Sequence, residues 1–183
     1  ANVVNGKLVA IPQEVVAYGL FVNVDMFNQC GLALPETPEE FLECCRVFQE
    51  NGIETPVGAN RWWLETFVFA QSYADLYNGG NAQREIEALN SGEAKYSDYM
   101  RPGFEFLQTL IDRGYIDAEK ALVSEAIEGE RADFLAGKTP IVMAYWGAAN
   151  TETAYGKTDF EMRVIGFPSS RGQMPVMPMT GWA

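Results

Sequence analysis

The chain has 183 residues, 48% of them hydrophobic and 21% charged. That is the size and balance of one globular domain with a real core, not of a disordered or fibrous segment. A formal charge of -12 and a pI near 4.4 set up a field that repels phosphate backbones and anionic headgroups, which argues against nucleic acid and membrane surfaces as partners. No stretch approaches the ~18 apolar residues that span a bilayer, so no membrane insertion of this segment is expected.

Taken in order, Lys7–Pro12 and Tyr18–Asn23 are short apolar runs bounded by Gly, Pro and Asn, and they read as two buried strands. A short helix from Asp25 to Cys30 follows, stopped by Gly31. Thr37-Pro38-Glu39-Glu40 predicts a helix start: Thr37 caps, Pro38 suits the first turn and Glu40 completes a capping box. Phe41, Cys45 and Phe48 then share one face, and Gly52 ends the helix. Thr55–Ala59 reads as a strand with a loop after it, and Asn60 is placed to cap an aromatic helix from Trp62 to Tyr77, broken at Gly79-Gly80.

A further short helix is expected over Arg84–Leu89, then a polar loop through Ser97. Pro102 is expected to open a helix with Phe104, Leu107, Leu110 and Ile111 inward, closed by Gly114. Ser124–Leu135 reads as helix, Thr139–Trp146 as a strand running into a helix near Ala148, and Met162–Phe167 as the last clear strand. Interleaved strands and helices without a repeat predict a single α/β domain, a central sheet with helices packed on it.

Most catalytic chemistries are missing their parts. There is no histidine, which removes Ser-His and Cys-His nucleophile pairs and imidazole-rich zinc sites from within this segment. Cys30, Cys44 and Cys45 lack a second ligand pair for zinc and suggest no disulfide framework; buried free thiols are expected. Gly137-Lys138-Thr139 and Gly156-Lys157-Thr158 imitate the end of a phosphate-binding loop. The glycine such a loop needs five residues earlier is replaced by Ala132 and Thr151. Carboxylate pairs such as Glu39 with Glu40 and Glu125 with Glu128 read as solvated surface charge. No metal and no cofactor are expected.

The informative residues are aromatic: Tyr18, Trp62, Trp63, Tyr145, Trp146 and Trp182. Each lies at or near a strand end or a helix start, where open α/β sheets place ligands. A flat indole face suits the apolar face of a pyranose ring, with neighbouring polar groups fixing its hydroxyls. The competing reading is that these side chains are core, as Phe67, Phe69 and Tyr73 of the same helix are expected to be. Trp62 and Trp63 point differently, because neighbours on a helix do not share a face.

Asn5-Gly6-Lys7-Leu8-Val9-Ala10-Ile11-Pro12, Gly19-Leu20-Phe21-Val22-Asn23-Val24-Asp25-Met26-Phe27, and Pro35-Glu36-Thr37-Pro38-Glu39-Glu40-Phe41 resemble, in order and spacing, extracellular solute-binding proteins of the sugar-binding, maltodextrin-like group. Leu110–Ile116, Phe134–Lys138 and the final Gly181-Trp182-Ala183 extend the resemblance over nearly the whole chain. It implies a single lobe of a periplasmic-binding-protein-like type II fold, a central mixed sheet flanked by helices, with residues 1–183 forming the second lobe of a two-lobed protein.

The resemblance also implies a noncatalytic binder for a small molecule, a mono- or oligosaccharide, working with an ABC importer permease as a monomer outside the cell or as a surface lipoprotein. Trp62, Trp63 and Trp146 fall where the family carries cleft aromatics. Departures are visible: Pro38 stands where the family has an aromatic, Val24 replaces a usual lysine, and Val16 occupies the place of an acidic ligand contact in maltodextrin binders. A peptide or polyamine binder and a carbohydrate-active enzyme are the alternatives. The first, for a polyamine, would set several carboxylates among the aromatics, and the second needs two carboxylates at glycosidase separation.

Overall fold

The computed structural model describes residues 3–4, 7–8, 12–78, 81–123, 128–145, 158–174 and 176–182. Among these the chain forms β1 (Val3–Val4), β2 (Lys7–Leu8), β3 (Pro12–Asn23), α1 (Val24–Gln29), α2 (Pro38–Glu50), β4 (Val57–Gly58) and α3 (Arg61–Asn78). There follow α4 (Ala82–Ser91), α5 (Tyr96–Asp112), α6 (Ala118–Val123), α7 (Glu128–Leu135), β5 (Ile141–Tyr145), β6 (Met162–Ile165), β7 (Phe167–Ser169), β8 (Gly172–Met174) and β9 (Val176–Trp182).

The 12-residue strand β3 is the spine of a mixed sheet ordered β4-β5-β3-β6, with β9 also pairing β3. From Tyr18 to Val22 it runs antiparallel to β5, and from Leu20 to Asn23 antiparallel to β6. Between Pro12 and Tyr18 its partner is β9, through a ladder with two register shifts. Position 18 pairs with both Tyr145 and Val176; since a strand residue has one neighbour on each side, β9 takes over the flank that β6 holds further along. β4 pairs parallel with β5, so both strands end at the same edge of the sheet.

Both faces of the sheet are covered, because alternate side chains of β3 leave in opposite directions. Leu20 and Val22 join a large core with Phe27, Phe41, Phe48, Phe67, Phe106 and Leu110, contributed by α1, α2, α3 and α5. Phe21 packs on the other face with Phe134 of α7 and Val142. Edge-to-face rings pin the first core, Phe27 on Phe48 at 4.9 Å and Phe67 on Phe167 at 5.4 Å. The expected α/β architecture with a helix-flanked mixed sheet is what the chain adopts.

The local reading holds best where one cap decides the structure. Thr37 accepts from the Glu40 N–H at 3.2 Å while Glu40 Oε2 takes the Thr37 N–H at 3.3 Å, the full capping box. Cys44 and Cys45 are both buried, and all three cysteines are free thiols. Gly137 turns the chain at φ 69° between α7 and β5, so the first phosphate-loop imitation sits after a helix and before a strand; that loop needs the opposite order.

Several expectations need correction. The two expected N-terminal strands divide differently: Lys7–Leu8 pairs with Val3–Val4, and everything from Pro12 to Asn23 is one strand. Pro102 lies inside α5, which begins six residues earlier where Asp98 Oδ2 reaches back to the Lys95 N–H at 3.2 Å. This start rotates the inward face onto Met100, Gly103, Phe106 and Leu110 and leaves Phe104 59% exposed.

Phe69 and Tyr73 are not core; they are half-buried, stacked on each other, and Tyr73 shares a hydroxyl hydrogen bond with Tyr96. The helix α6 has no counterpart in the sequence reading. The expected strand Met162–Phe167 is broken at Gly166, and a β7–β8 hairpin and β9 follow it. The expected helix near Ala148, the second phosphate-loop imitation and residues 124–127 of the expected helix Ser124–Leu135 lie outside the described residues.

Candidate functional site

The carboxyl end of β5 reaches the point where β3 changes neighbour, and β4, parallel to β5, leads into α3. Tyr18 and Tyr145 are directly opposite in the β3–β5 register. Two residues after β4, α3 begins, with Trp62 and Trp63 in its first turn. The helix starts here because the Asn60 carbonyl accepts the Leu64 N–H at 3.2 Å, the opening bond of a helix. Edges of this kind in open α/β sheets collect ligands, because strand ends and helix starts present unpaired backbone groups around a concavity.

Tyr18 is half-buried and packs against the large core, so it lies on the face covered by α3. Burial, reinforced by the carboxylate of Glu65 one turn into α3, raises its phenol above the ordinary tyrosine value. A phenol so held stays protonated at neutral pH.

Trp182 is elsewhere. It ends β9 opposite Pro12, six positions along β3 from Tyr18, about 20 Å at strand spacing. Trp146 lies outside the described residues, immediately after the end of β5.

Behind the rim is a group that the sequence reading did not single out. The Asn60 side-chain amide donates to Glu130 Oε1 of α7, and both residues are buried, Asn60 at 0% and Glu130 at 4% exposure. Glu130 Oε2 has no hydrogen-bond partner among the described residues. Burial raises the Glu130 carboxyl above the usual range, against the pull of its own backbone contact, Asn60, Lys120 and Arg131. A legible signal existed: Glu130 lies one helical turn before Phe134, which is fully buried, so the two share an inward face.

Among the described residues no cluster of three or more Cys, Asp or Glu is arranged to hold a metal, and no helix is long and apolar enough to cross a membrane. The carboxylates expected on the surface are partly tied into local pairs, as with Glu43 and Glu50 on Arg46.

Comparison with solved structures finds this fold in one portion of larger proteins. A family 1 extracellular solute-binding protein from Bifidobacterium longum subsp. infantis superposes with a TM-score of 0.70 at 20% identity, over 91% of this chain and 42% of that one. A sugar transporter from Bacillus licheniformis in complex with stachyose gives 0.68 at 19%, over 97% and 45%. One from Arthrobacter chlorophenolicus A6 with bound laminaribiose gives 0.62 at 17%, over 93% and 41%. The chain thus spans less than half the length of these proteins. Comparison with curated proteins finds no match. The family model of the bacterial extracellular solute-binding protein matches residues 1–180, nearly the entire length, and to that family this chain belongs.

Proposed function

We propose that the chain is the second lobe of the substrate-binding component of an ABC importer, capturing a mono- or oligosaccharide in a cleft between two lobes without catalysis. The observation that carries this reading is the pairing of Tyr18 with position 145 at the carboxyl end of β5, with Glu65 of α3 close enough to act on the Tyr18 phenol and Trp62 and Trp63 in the first turn of that helix. Aromatic residues gathered near a strand end and a helix start make a stacking surface for pyranose rings. Two proteins of the same fold carry stachyose and laminaribiose, which supports a sugar as the ligand class.

Capture follows from geometry alone. A ligand that touches both lobes favours their closed arrangement by its differential affinity for it, and the closed form is what an importer permease reads. The protein acts as a monomer outside the cell, free or held at the surface by a lipid. Trp146, next along from Tyr145, joins the stacking set, whereas Trp182, opposite Pro12, lies too far along β3 to share it.

The test is titration of the full-length protein with stachyose and with laminaribiose, followed by calorimetry and tryptophan fluorescence. Trp146→Ala should weaken the binding of whichever sugar is taken up by about 1–3 kcal/mol while leaving the fold intact. Unchanged affinity in the folded variant removes Trp146 from the site, and hydrolysis of either sugar overturns the noncatalytic reading.

A further inference from the structure

The loop that leads into the rim is backed by a buried polar contact. Asn60 ends the loop after β4 and its carbonyl opens α3; its side-chain amide reaches 70 residues along the chain to Glu130 of α7. Packing here leaves no slack: a Cβ on Gly58 would stand 3.2 Å from the Glu130 Cβ and 3.5 Å from Thr139 Cγ2. The helix α7 therefore lies directly against the backbone that leads into the rim.

A glutamate is an expensive choice for a site that is 4% exposed if its only duty is to fill space, since burying a carboxyl with one oxygen unpartnered works against folding. The same volume filled by Leu or Met would avoid that cost. What the carboxyl supplies and an apolar group does not is a directed acceptor for Asn60, fixing the residue from which the first turn of α3 starts.

We propose that Glu130 is a positioning residue: through its buried bond to Asn60 it locks the first turn of α3, which carries Trp62 and Trp63, in its place at the rim. What the turn is for rests on the solute-capture reading; that it is locked does not. Glu130 also walls a pocket of about 460 Å³ shared with Glu54, Asp117, Lys120, Asp133 and Lys138, the charged groups that face it together with Arg131 on its own helix.

Lys120 is bound to Asp133 at 2.8 Å, and Lys138 approaches the same carboxylate at 3.6 Å. Burial raises the Glu130 carboxyl, while Asn60 and the nearby Lys120 pull the other way. In either protonation state Oε1 remains an acceptor for the Asn60 amide.

Amide hydrogen exchange, read by mass spectrometry on the unliganded protein, tests this without any ligand. Glu130→Ala and Asn60→Ala should each lower protection in the peptide covering 58–66 by about tenfold or more, with little change at 103–110 in α5. The double variant should be no worse than Asn60→Ala alone. Glu130→Gln, which keeps the acceptor, should retain wild-type protection.

Unchanged protection at 58–66 in Asn60→Ala, or a uniform loss throughout the chain in all variants, overturns the proposal. So does failure of Glu130→Gln to hold the turn. Should Glu130→Ala not fold, Asn60→Ala and Glu130→Gln still decide. The readout uses no sugar, so failure of the lock and failure of solute capture are separately visible.

Discussion

Cys44 and Cys45 stand side by side on α2 with both thiols out of water, and Cys44 Sγ donates to the Ala33 carbonyl at 3.7 Å. Burial, helped by Glu40 and Glu43, pushes the Cys44 thiol up to about 11, and burial drives Cys45 higher still. Thiolate is the reactive form. A disulfide-exchange reagent at about pH 8 should therefore label half-buried Cys30 well before Cys44 or Cys45, and all three together only in denaturant. Rapid labelling of Cys44 in the native protein would contradict this packing.

Asp133 moves the other way: the hydrogen bond from Lys120 holds its carboxyl below the usual range. Its contribution to stability is present above the unfolded aspartate value and fades as pH falls through the folded one. Since the pair is partly solvated, Asp133→Asn should cost about 0.2–1 kcal/mol in urea unfolding at neutral pH, and less as the medium is made strongly acidic. At this scale the expected burial of the thiols holds for Cys44 and Cys45 but not for half-buried Cys30, and Glu39 and Glu40 are exposed as expected. Glu130 escaped because its environment is set by Asn60, 70 residues away in the chain.

Among the elements, α2 was readable to the residue because its start is a contract among four neighbours. Thr37→Ala should lower stability by about 1 kcal/mol through loss of the cap, measured by chemical denaturation. The boundary of α5 was misread for the opposite reason. Pro102 looks like a first-turn residue, yet the helix extends past it because its inner face is bought by packing on α3. The approach is close: a Cβ on Gly103 would lie 2.1 Å from the Val68 carbonyl oxygen, and Ser72 Oγ donates to the Met100 carbonyl at 3.2 Å. Gly103→Ala should thus force α3 and α5 apart at a steric cost of about 1–3 kcal/mol, which outweighs the gain of at most about 1 kcal/mol from helix propensity, so that the variant is destabilised. A stabilised variant would mean that the helices cross further apart than described. Nothing near position 103 in the sequence announces this contact, because the partner is 35 residues away.

For the whole molecule, the alternation of strand-like and helix-like segments was enough for the architecture, while the order β4-β5-β3-β6 was not, because pairing across the sheet depends on crossovers that leave no local mark. The ending strand β9 was visible only through family resemblance. Of the candidate positions, 18 lies opposite 145 in the β3–β5 register but inside β3 and not at its end, and the distance to Trp182 could not be known without the β3–β9 register. A net charge of -12 makes a global prediction possible. If the ligand is an uncharged sugar, its dissociation constant in the full-length protein should change by less than about twofold between 0.05 and 0.5 M sodium chloride. A steep weakening with salt would identify a cationic ligand instead.

The ladder between β3 and β9 slips twice, between Pro12 and Val15 and again between Val16 and Tyr18, while from Tyr18 to Asn23 the same strand is paired without interruption on β5 or β6. Irregular registers leave residues out of lateral bonding and add local twist. The first half of this one strand is accordingly bent and coiled along β9, whereas its second half lies regularly in the sheet and anchors position 18 to the core through Leu20 and Val22.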